Sequence, residues 1–248
     1  MRVTYIVTTT GKYHDTRVRA ITESWAADRK GDVLFMSDAP SSNPAVLNLE
    51  CGSDYTSATI KALKGLWVLK GTSFGDSDWV VVCDDDSLML PDRIDNLLRD
   101  KDPRCDACYG CRINTYPEMP ELFYPQGGAG YAISKALLQK MFDQIPNAPL
   151  YSWSDVTIGV IIKKLGVEIT HVQGFYSNAP EAYAATDPGV LESMFRHAYS
   201  FHYIQPETMG ALFQKISAIP HQPIEGSGTS PYTETDRKAG GFCSSTRP

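Results

Sequence analysis

Asp84-Asp85-Asp86 follows directly on the apolar run Trp79-Val80-Val81-Val82-Cys83 and is the strongest chemical signal in the chain. Adjacent carboxylates repel one another, by about 1 kcal/mol for two unit charges 4 Å apart in water and by more where water is excluded. A hard divalent cation offsets that repulsion, because Mg²⁺ and Mn²⁺ take oxygen ligands and commonly bind one or two carboxylates together with substrate phosphates. A solvated acidic turn would use the same residues. Position favours the cation, since open α/β sheets dock their ligands at strand ends.

Five further features could carry chemistry. Gly127-Gly128-Ala129-Gly130 lets the backbone approach a ligand closely, yet it has the spacing of neither a dinucleotide fingerprint nor a P-loop. Asp155 falls in the first turn of an expected helix, where it can serve as a general base or cap the helix. His202 lies among aromatic and apolar neighbours, as a buried hydrogen-bonded histidine or as an imidazole ligand suited to Mn²⁺. Cys105, Cys108 and Cys111 have the C-x2-C-x2-C spacing of part of a zinc or iron–sulfur site, but no fourth cysteine follows before Cys243, which argues against one. Tyr151, Trp153 and Tyr183 could present a stacking face to an acceptor or simply fill the core.

The elements that must position these residues alternate. Val3 to Thr8, Val33 to Ser37, residues 45 to 49, residues 79 to 83 and residues 167 to 171 read as strands. Between them the spacing predicts a helix capped by Asp15 or Thr16 that buries Val18, Ile21 and Trp25, and one over residues 57 to 70 that buries Ile60, Leu63, Trp67 and Leu69. Further helices are expected from Pro91 to Leu98, from Ser134 to residue 142 with serine as cap, and over residues 153 to 165 closed by Gly166. The run 79 to 83 is apolar throughout, as in a strand covered on both faces of a mainly parallel sheet. Together these specify an α/β fold with a central mixed, mainly parallel sheet. Residues 1–219 are expected to form the catalytic domain. Residues 220–248, rich in Pro, Gly, Ser and Thr, are expected to be a loosely ordered tail.

Bulk composition narrows the field. A net charge of −6 argues against a protein held on nucleic acid by phosphate contacts. The longest apolar run is five residues, far short of the about 20 that cross a bilayer. Six cysteines among 248 residues are too few for a disulfide scaffold.

In chain order these pieces resemble the fringe and core 1 branches of the inverting β-1,3-glycosyltransferases, glycosyltransferase family 31, over residues 3 to 213. Val7-Thr8-Thr9-Thr10-Gly11-Lys12-Tyr13-His14 is similar to the first strand and loop of the fringe branch, while Val33 to Ser37, Gly127 to Ser134 and Ser200-Phe201-His202-Tyr203 are closer to the core 1 branch. The resemblance implies a GT-A, Rossmann-like fold, a UDP-sugar donor, and Mn²⁺, with Mg²⁺ as the alternative, bridging the diphosphate to the acidic motif. On matched positions it makes Asp86, Asp84 and His202 the metal ligands and Asp155 the catalytic base. Thr8, Thr9, Arg17, Asp38, Lys61, Asp84, Asp85, Gly127 and Gly128 fall where the family holds the nucleotide-sugar.

Two departures accompany it. The fringe branch carries a His-x-His segment where this chain has Phe175-Tyr176-Ser177-Asn178, so the histidine ligand rests on His202. The family's N-terminal anchor and stem have no counterpart here, so the chain as written is expected in the cytoplasm, and in the Golgi lumen if it is a trimmed ectodomain. The expected acceptor is a glycan, a glycopeptide or a small molecule. The alternative function is a non-catalytic carbohydrate-binding module on the same scaffold. A phosphoryl hydrolase is disfavoured, because the sequence has no second acidic cluster for a two-metal site.

Overall fold

The computed structural model describes residues 1–29, 31–54, 57–184 and 189–224. Twelve strands lie among these residues: β1 (Val3–Thr8), β2 (Val33–Ser37), β3 (Val46–Asn48), β4 (Trp79–Asp84), β5 (Leu88–Met89), β6 (Cys108–Gly110), β7 (Arg112–Ile113), β8 (Tyr124–Pro125), β9 (Tyr131–Ser134), β10 (Ile169–His171), β11 (Phe175–Tyr176) and β12 (Ser200–Phe201). The α-helices are α1 (Arg19–Glu23), α2 (Ser57–Trp67), α3 (Pro91–Leu98), α4 (Lys135–Gln144), α5 (Ser154–Lys164), α6 (Pro180–Ala184), α7 (Val190–His197) and α8 (Pro206–Ser217).

Seven strands form the main sheet in the order β10-β6-β9-β4-β1-β2-β3, so the apolar β4 is central, as its composition requires. Its side chains alternate between two cores: Trp79, Val81 and Cys83 face one, Val80 and Val82 the other. Residues of α1, α3, α7 and α8 cover the first face, and residues of α2, α4 and α5 the second. This is the expected α/β architecture, mixed and mainly parallel.

β9 alone runs against the other six strands, antiparallel to both β4 and β6. That reversal decides where the site can form. An antiparallel strand begins at the edge where its parallel neighbours end, so the glycines just before β9 arrive beside the acidic end of β4. Thr8 at the end of β1 is in register with Asp84 at the end of β4.

Several local expectations hold in detail. Ser134 caps α4 by accepting the Leu137 N–H at 3.2 Å, and Pro91 opens α3. Gly166, at φ +72°, follows α5.

Other expectations are corrected. Neither Asp15 nor Thr16 caps the first helix. A 3-10 turn (Gly11–Tyr13) and a π turn (His14–Val18) lead into α1 instead, and Val18, Ile21 and Trp25 are buried as expected. In α2, Leu63 and Leu66 are buried, and Leu69 beyond its end is too, but Ile60 and Trp67 are 36% and 46% exposed. The inward stripe runs through Thr59, Ala62, Leu63 and Leu66. It also includes Lys61, which apolar spacing alone assigns to the outside. The chain direction through β6 and just past its end splits the cysteines. Cys108 faces one core and Cys111 the other, so they cannot share a metal ion.

Most of the expected tail, residues 225–248, lies outside the described residues. Its first part is tied down: the Gln222 N–H donates to the Arg196 carbonyl at 2.9 Å, and His221 packs edge-on against Tyr199.

Arg93 of α3 is buried and locks three helices together. Its guanidinium donates to the carbonyls of Phe195 and Ala198 at the end of α7 and of Ile216 and Ile219 at the end of α8, at 2.7–2.9 Å. Of these four, the Ile216 carbonyl also accepts the Ile219 N–H at 3.0 Å. Arg93→Met is expected to lower stability by about 2–4 kcal/mol, since each buried acceptor left unsatisfied costs about 1–3 kcal/mol and relaxation recovers part. The shift in urea midpoint measures it. An unchanged midpoint would show that the four carbonyls find other partners.

Candidate active site

The acidic triplet forms a tight turn at the end of β4, with the Ser87 N–H donating to the Asp84 carbonyl at 3.2 Å. Ser87 holds the turn in place. Its hydroxyl donates to the Gly128 carbonyl at 2.7 Å and accepts from the Asp84 N–H at 3.2 Å, while the Trp25 indole N–H donates to the Ser87 carbonyl at 3.1 Å. The three carboxylates then diverge. Asp85 turns back into the protein, where Thr9 Oγ1 donates to Oδ2 at 2.7 Å and Arg17 Nη1 to Oδ1 at 2.6 Å. Asp84 and Asp86 turn toward His202, and one ligand atom from each of the three lies within 4.8 Å of the others.

Electrostatics distinguish the members of the triplet. Burial, with the neighbouring carboxylates adding to it, pushes the Asp84 carboxyl up to about 7. Burial would also raise Asp86, but the hydrogen bond and charge of His202, together with Arg17, outweigh it and hold Asp86 below the ordinary range. His202 Nε2 is 3.2 Å from Asp86 Oδ1, and Arg17 Nη1 is 3.3 Å from Asp86 Oδ2.

These residues fit a hard divalent cation. Asp84 is a half-buried carboxylate beside two others, and two carboxylates with one imidazole make a donor set suited to Mn²⁺ or Mg²⁺. The tautomer fits as well. His202 Nδ1 lies 3.3 Å from the Ser177 carbonyl, which can only accept; with the ring proton kept on that nitrogen, Nε2, which now faces Asp86 Oδ1 at 3.2 Å, would be free to ligate a cation. The Gln126 amide nitrogen is 3.4 Å from the same Nδ1.

Asp155 stands in the first turn of α5 and is partly buried. Its Oδ2 accepts the Gly127 N–H and its Oδ1 its own helix's Val156 N–H, both at 2.9 Å. Burial pushes its carboxyl up to about 6, against the lowering effect of those N–H groups. Consecutive glycines therefore join the two halves of the site. Gly127 holds Asp155, and Gly128 lies under the His202 ring so closely that a Cβ there would come within 2.1 Å of it. That is a stronger reason for glycine at Gly128 than general backbone freedom, whereas a Cβ at Gly127 would meet Asp155 only at ordinary contact distance.

The remaining sequence candidates build the first loop. Lys61 Nζ donates to the Thr9 carbonyl and to Asp38 Oδ2, both at 2.7 Å, and Asp38 Oδ1 accepts the Gly11 N–H at 2.8 Å. The charge of Lys61 is thus spent on Asp38, and the pair braces the loop that carries Thr8 and Thr9. Burial would raise the Asp38 carboxyl, but the hydrogen bonds from Lys61, Gly11 and Thr10 hold it below its usual value. Arg17 is packed over the Tyr13 ring at 4.1 Å, which aims its guanidinium at Asp85 and Asp86.

Tyr183 is not part of a stacking face. It is buried against Tyr176, whose ring stacks on Phe201 at 4.9 Å. Tyr151 and Trp153 are partly exposed beside Asp155 and pack edge-on against Tyr116. Sequence reasoning missed Ser87, Gln126, Ser177 and Tyr203. For Ser87 a signal existed, as the serine directly after an acidic turn; Gln126 meets His202 through its side-chain amide, and Ser177 and Tyr203 through a carbonyl and ring packing, none of which spacing predicts.

A sequence model of the Fringe-like family matches residues 2–211. The chain belongs to the Fringe-like family. Its α/β sheet with an acidic turn at the end of the central strand is the GT-A arrangement expected of that membership. Among curated relatives it is 24% identical over 200 residues to the zebrafish (Danio rerio) β-1,3-N-acetylglucosaminyltransferase manic fringe, covering 69% of this chain and 54% of that protein. It is 23% identical over 215 residues to the chicken (Gallus gallus) radical fringe enzyme of the same activity name, covering 76% and 58%. With a mouse (Mus musculus) β-1,3-glucosyltransferase the identity is 24% over 180 residues, 71% of this chain and 36% of that protein. The matches thus span little more than half of the fringe proteins' length, or about a third of the mouse protein's. Among solved structures, the galactosyltransferase LgtC with donor and acceptor sugar analogs is 15% identical with a TM-score of 0.48, covering 96% of this chain and all of that one. A glycosyltransferase involved in the glycosylation of the major capsid of PBCV-1 is 12% identical with a TM-score of 0.49, covering 87% of this chain and all of that one. Both are distant likenesses. No helix among the described residues is long and apolar enough to cross a membrane.

Proposed function

We propose that the protein is an inverting, metal-dependent glycosyltransferase that moves a hexose or N-acetylhexosamine from a UDP-sugar to an acceptor hydroxyl and forms a β-1,3 linkage on a glycan or glycoconjugate. The observation that carries this reading is the pairing of a partly buried carboxylate raised to about 6, Asp155, with the Asp84–Asp86–His202 cluster through Gly127 and Gly128. A sugar-binding module has no use for a positioned base opposite a cation site. Family membership supports the same reading, and the names of the curated relatives supply the linkage.

In the reaction, the acceptor oxygen forms a bond to the anomeric carbon on the face opposite the departing diphosphate. Its proton passes to the Asp155 carboxylate. The bond from the anomeric carbon to the phosphate oxygen breaks and UDP leaves with the electron pair, inverting the carbon. The acceptor hydroxyl becomes acidic as its bond to carbon forms, so a base near 6 suffices for a late proton transfer. Asp84, Asp86 and His202 would hold Mn²⁺ or Mg²⁺, which supplies positive charge to the diphosphate oxygens. Arg17 stands at the same edge with its guanidinium already aimed at the acidic turn; Thr8, at the end of β1 beside Asp84, would face the nucleotide, while Thr9 steadies the turn through Asp85.

The test is UDP release from a panel of UDP-sugars with Mn²⁺, followed by an acceptor array with the best donor. Metal-dependent release that EDTA abolishes is expected. Saturable sugar binding without release from any donor would identify a carbohydrate-binding module and overturn the proposal.

A further inference from the structure

Tyr203 has a left-handed backbone, φ +58°, although its side chain carries a Cβ. Such a conformation persists in a bulky residue only where the surroundings fix it. Two contacts do so here. The following N–H, of Ile204, donates to the Asp86 carbonyl at 2.9 Å, which ties the turn after β12 to the acidic turn after β4. The Tyr203 ring lies flat on the His202 imidazole, with centroids 3.6 Å apart and an interplanar angle of 19°. Gly128 closes off the imidazole against its own backbone, with no room for a Cβ, and the Ser177 carbonyl holds Nδ1.

We infer that Tyr203, with Gly128, is a positioning residue that clamps the His202 imidazole so that Nε2 points between Asp84 and Asp86. The inference rests on the reading of His202 as a metal ligand and adds what holds it there. The left-handed turn makes the clamp possible, because it lets Ile204 bond to Asp86 while the Tyr203 ring folds back over the preceding residue. Tyr203 is 45% exposed and borders an open cleft with Ile204, Thr208 and Leu212. Removing its ring therefore leaves no cavity in the core, and a role in stability can be separated from a role in metal binding. Groups that merely orient a metal ligand are worth about 10–100-fold in metal affinity.

The experiment titrates Mn²⁺ alone into the protein by calorimetry, with thermal unfolding of the metal-free protein alongside. Tyr203→Gly removes the ring while accepting the left-handed backbone. It is expected to weaken Mn²⁺ binding about tenfold at an unfolding temperature equal to or above that of the wild type. Tyr203→Phe, which keeps the ring, is expected to bind Mn²⁺ as the wild type does. Gly128→Ala, which pushes on the imidazole from its own side, is expected to weaken binding as well and carries the test if Tyr203→Gly does not fold. Wild-type Mn²⁺ affinity in Tyr203→Gly, or the same loss in Tyr203→Phe, overturns the clamp. His202→Ala separates the two levels: wild-type affinity in that variant removes His202 from the site and the clamp with it, whereas its loss beside an intact Tyr203→Gly refutes the clamp alone.

Discussion

Asp155→Asn is expected to lower kcat by about 10²–10⁴, the usual worth of a positioned general base, while Mn²⁺-dependent UDP binding stays at the wild-type level. The amide keeps nearly the same shape, and its oxygen can still accept the Gly127 N–H that now reaches Oδ2 at 2.9 Å. What disappears is the capacity to take the acceptor proton, together with the oxygen that accepts the Val156 N–H. The pH dependence gives an independent check, and its sign follows from the direction of the shift. Burial raises the Asp155 carboxyl to about 6, and the base works only when ionised. Activity is therefore full above that value and falls about tenfold per pH unit below it. The acidic limb should vanish in Asp155→Asn, whose residual rate is flat across the same range. Near-normal turnover in the variant, or an unchanged acidic limb, would remove Asp155 from the chemistry.

Much of this site was readable before any coordinates because its parts sit at positions where local sequence constrains local structure. An apolar run ending in carboxylates can only be a covered strand with its acids at the rim, and β4 is that strand. Ser134 announced its helix through capping, and Asp155 lay in a first turn whose N–H groups it was bound to meet. The failures have a common physical origin in tertiary placement. Lys61 is buried on the inner stripe of α2 because Asp38 and the Thr9 carbonyl receive its ammonium, and these partners lie 23 and 52 residues away. For the same reason apolar spacing put Ile60 and Trp67 on the wrong side of that helix. Spacing alone leaves the three adjacent aspartates equivalent, and only the family resemblance sets Asp84 and Asp86 apart as ligands; the turn sends Asp85 toward Thr9 and Arg17 and the other two toward His202. No pattern of spacing shows that Gly127 and Gly128 touch different halves of the site, because the contact exists only through the reversed direction of β9.

The divergence of the triplet leads to the second large expected effect. Asp86→Ala should weaken Mn²⁺ binding, and Mn²⁺-dependent UDP binding with it, by more than about 100-fold. Groups that only orient a metal ligand already account for about 10–100-fold, and Asp86 supplies an oxygen to the cluster itself. The loss is compounded by its neighbours. Asp86 Oδ1 is 3.2 Å from His202 Nε2 and Oδ2 is 3.3 Å from Arg17 Nη1, so the variant leaves the imidazole facing Asp84 alone and the guanidinium held only by Asp85. Asp85→Asn makes the informative contrast, because it removes the same formal charge one residue away. Its oxygens serve Thr9 and Arg17 rather than the cluster, so its Mn²⁺ affinity should fall far less, while the first loop loosens and UDP binding weakens even at saturating metal. Calorimetric titration of Mn²⁺ without nucleotide, then of UDP at saturating Mn²⁺, separates the two patterns. Equal losses of metal affinity in the two variants would mean that bulk negative charge, not the direction of each side chain, holds the cation.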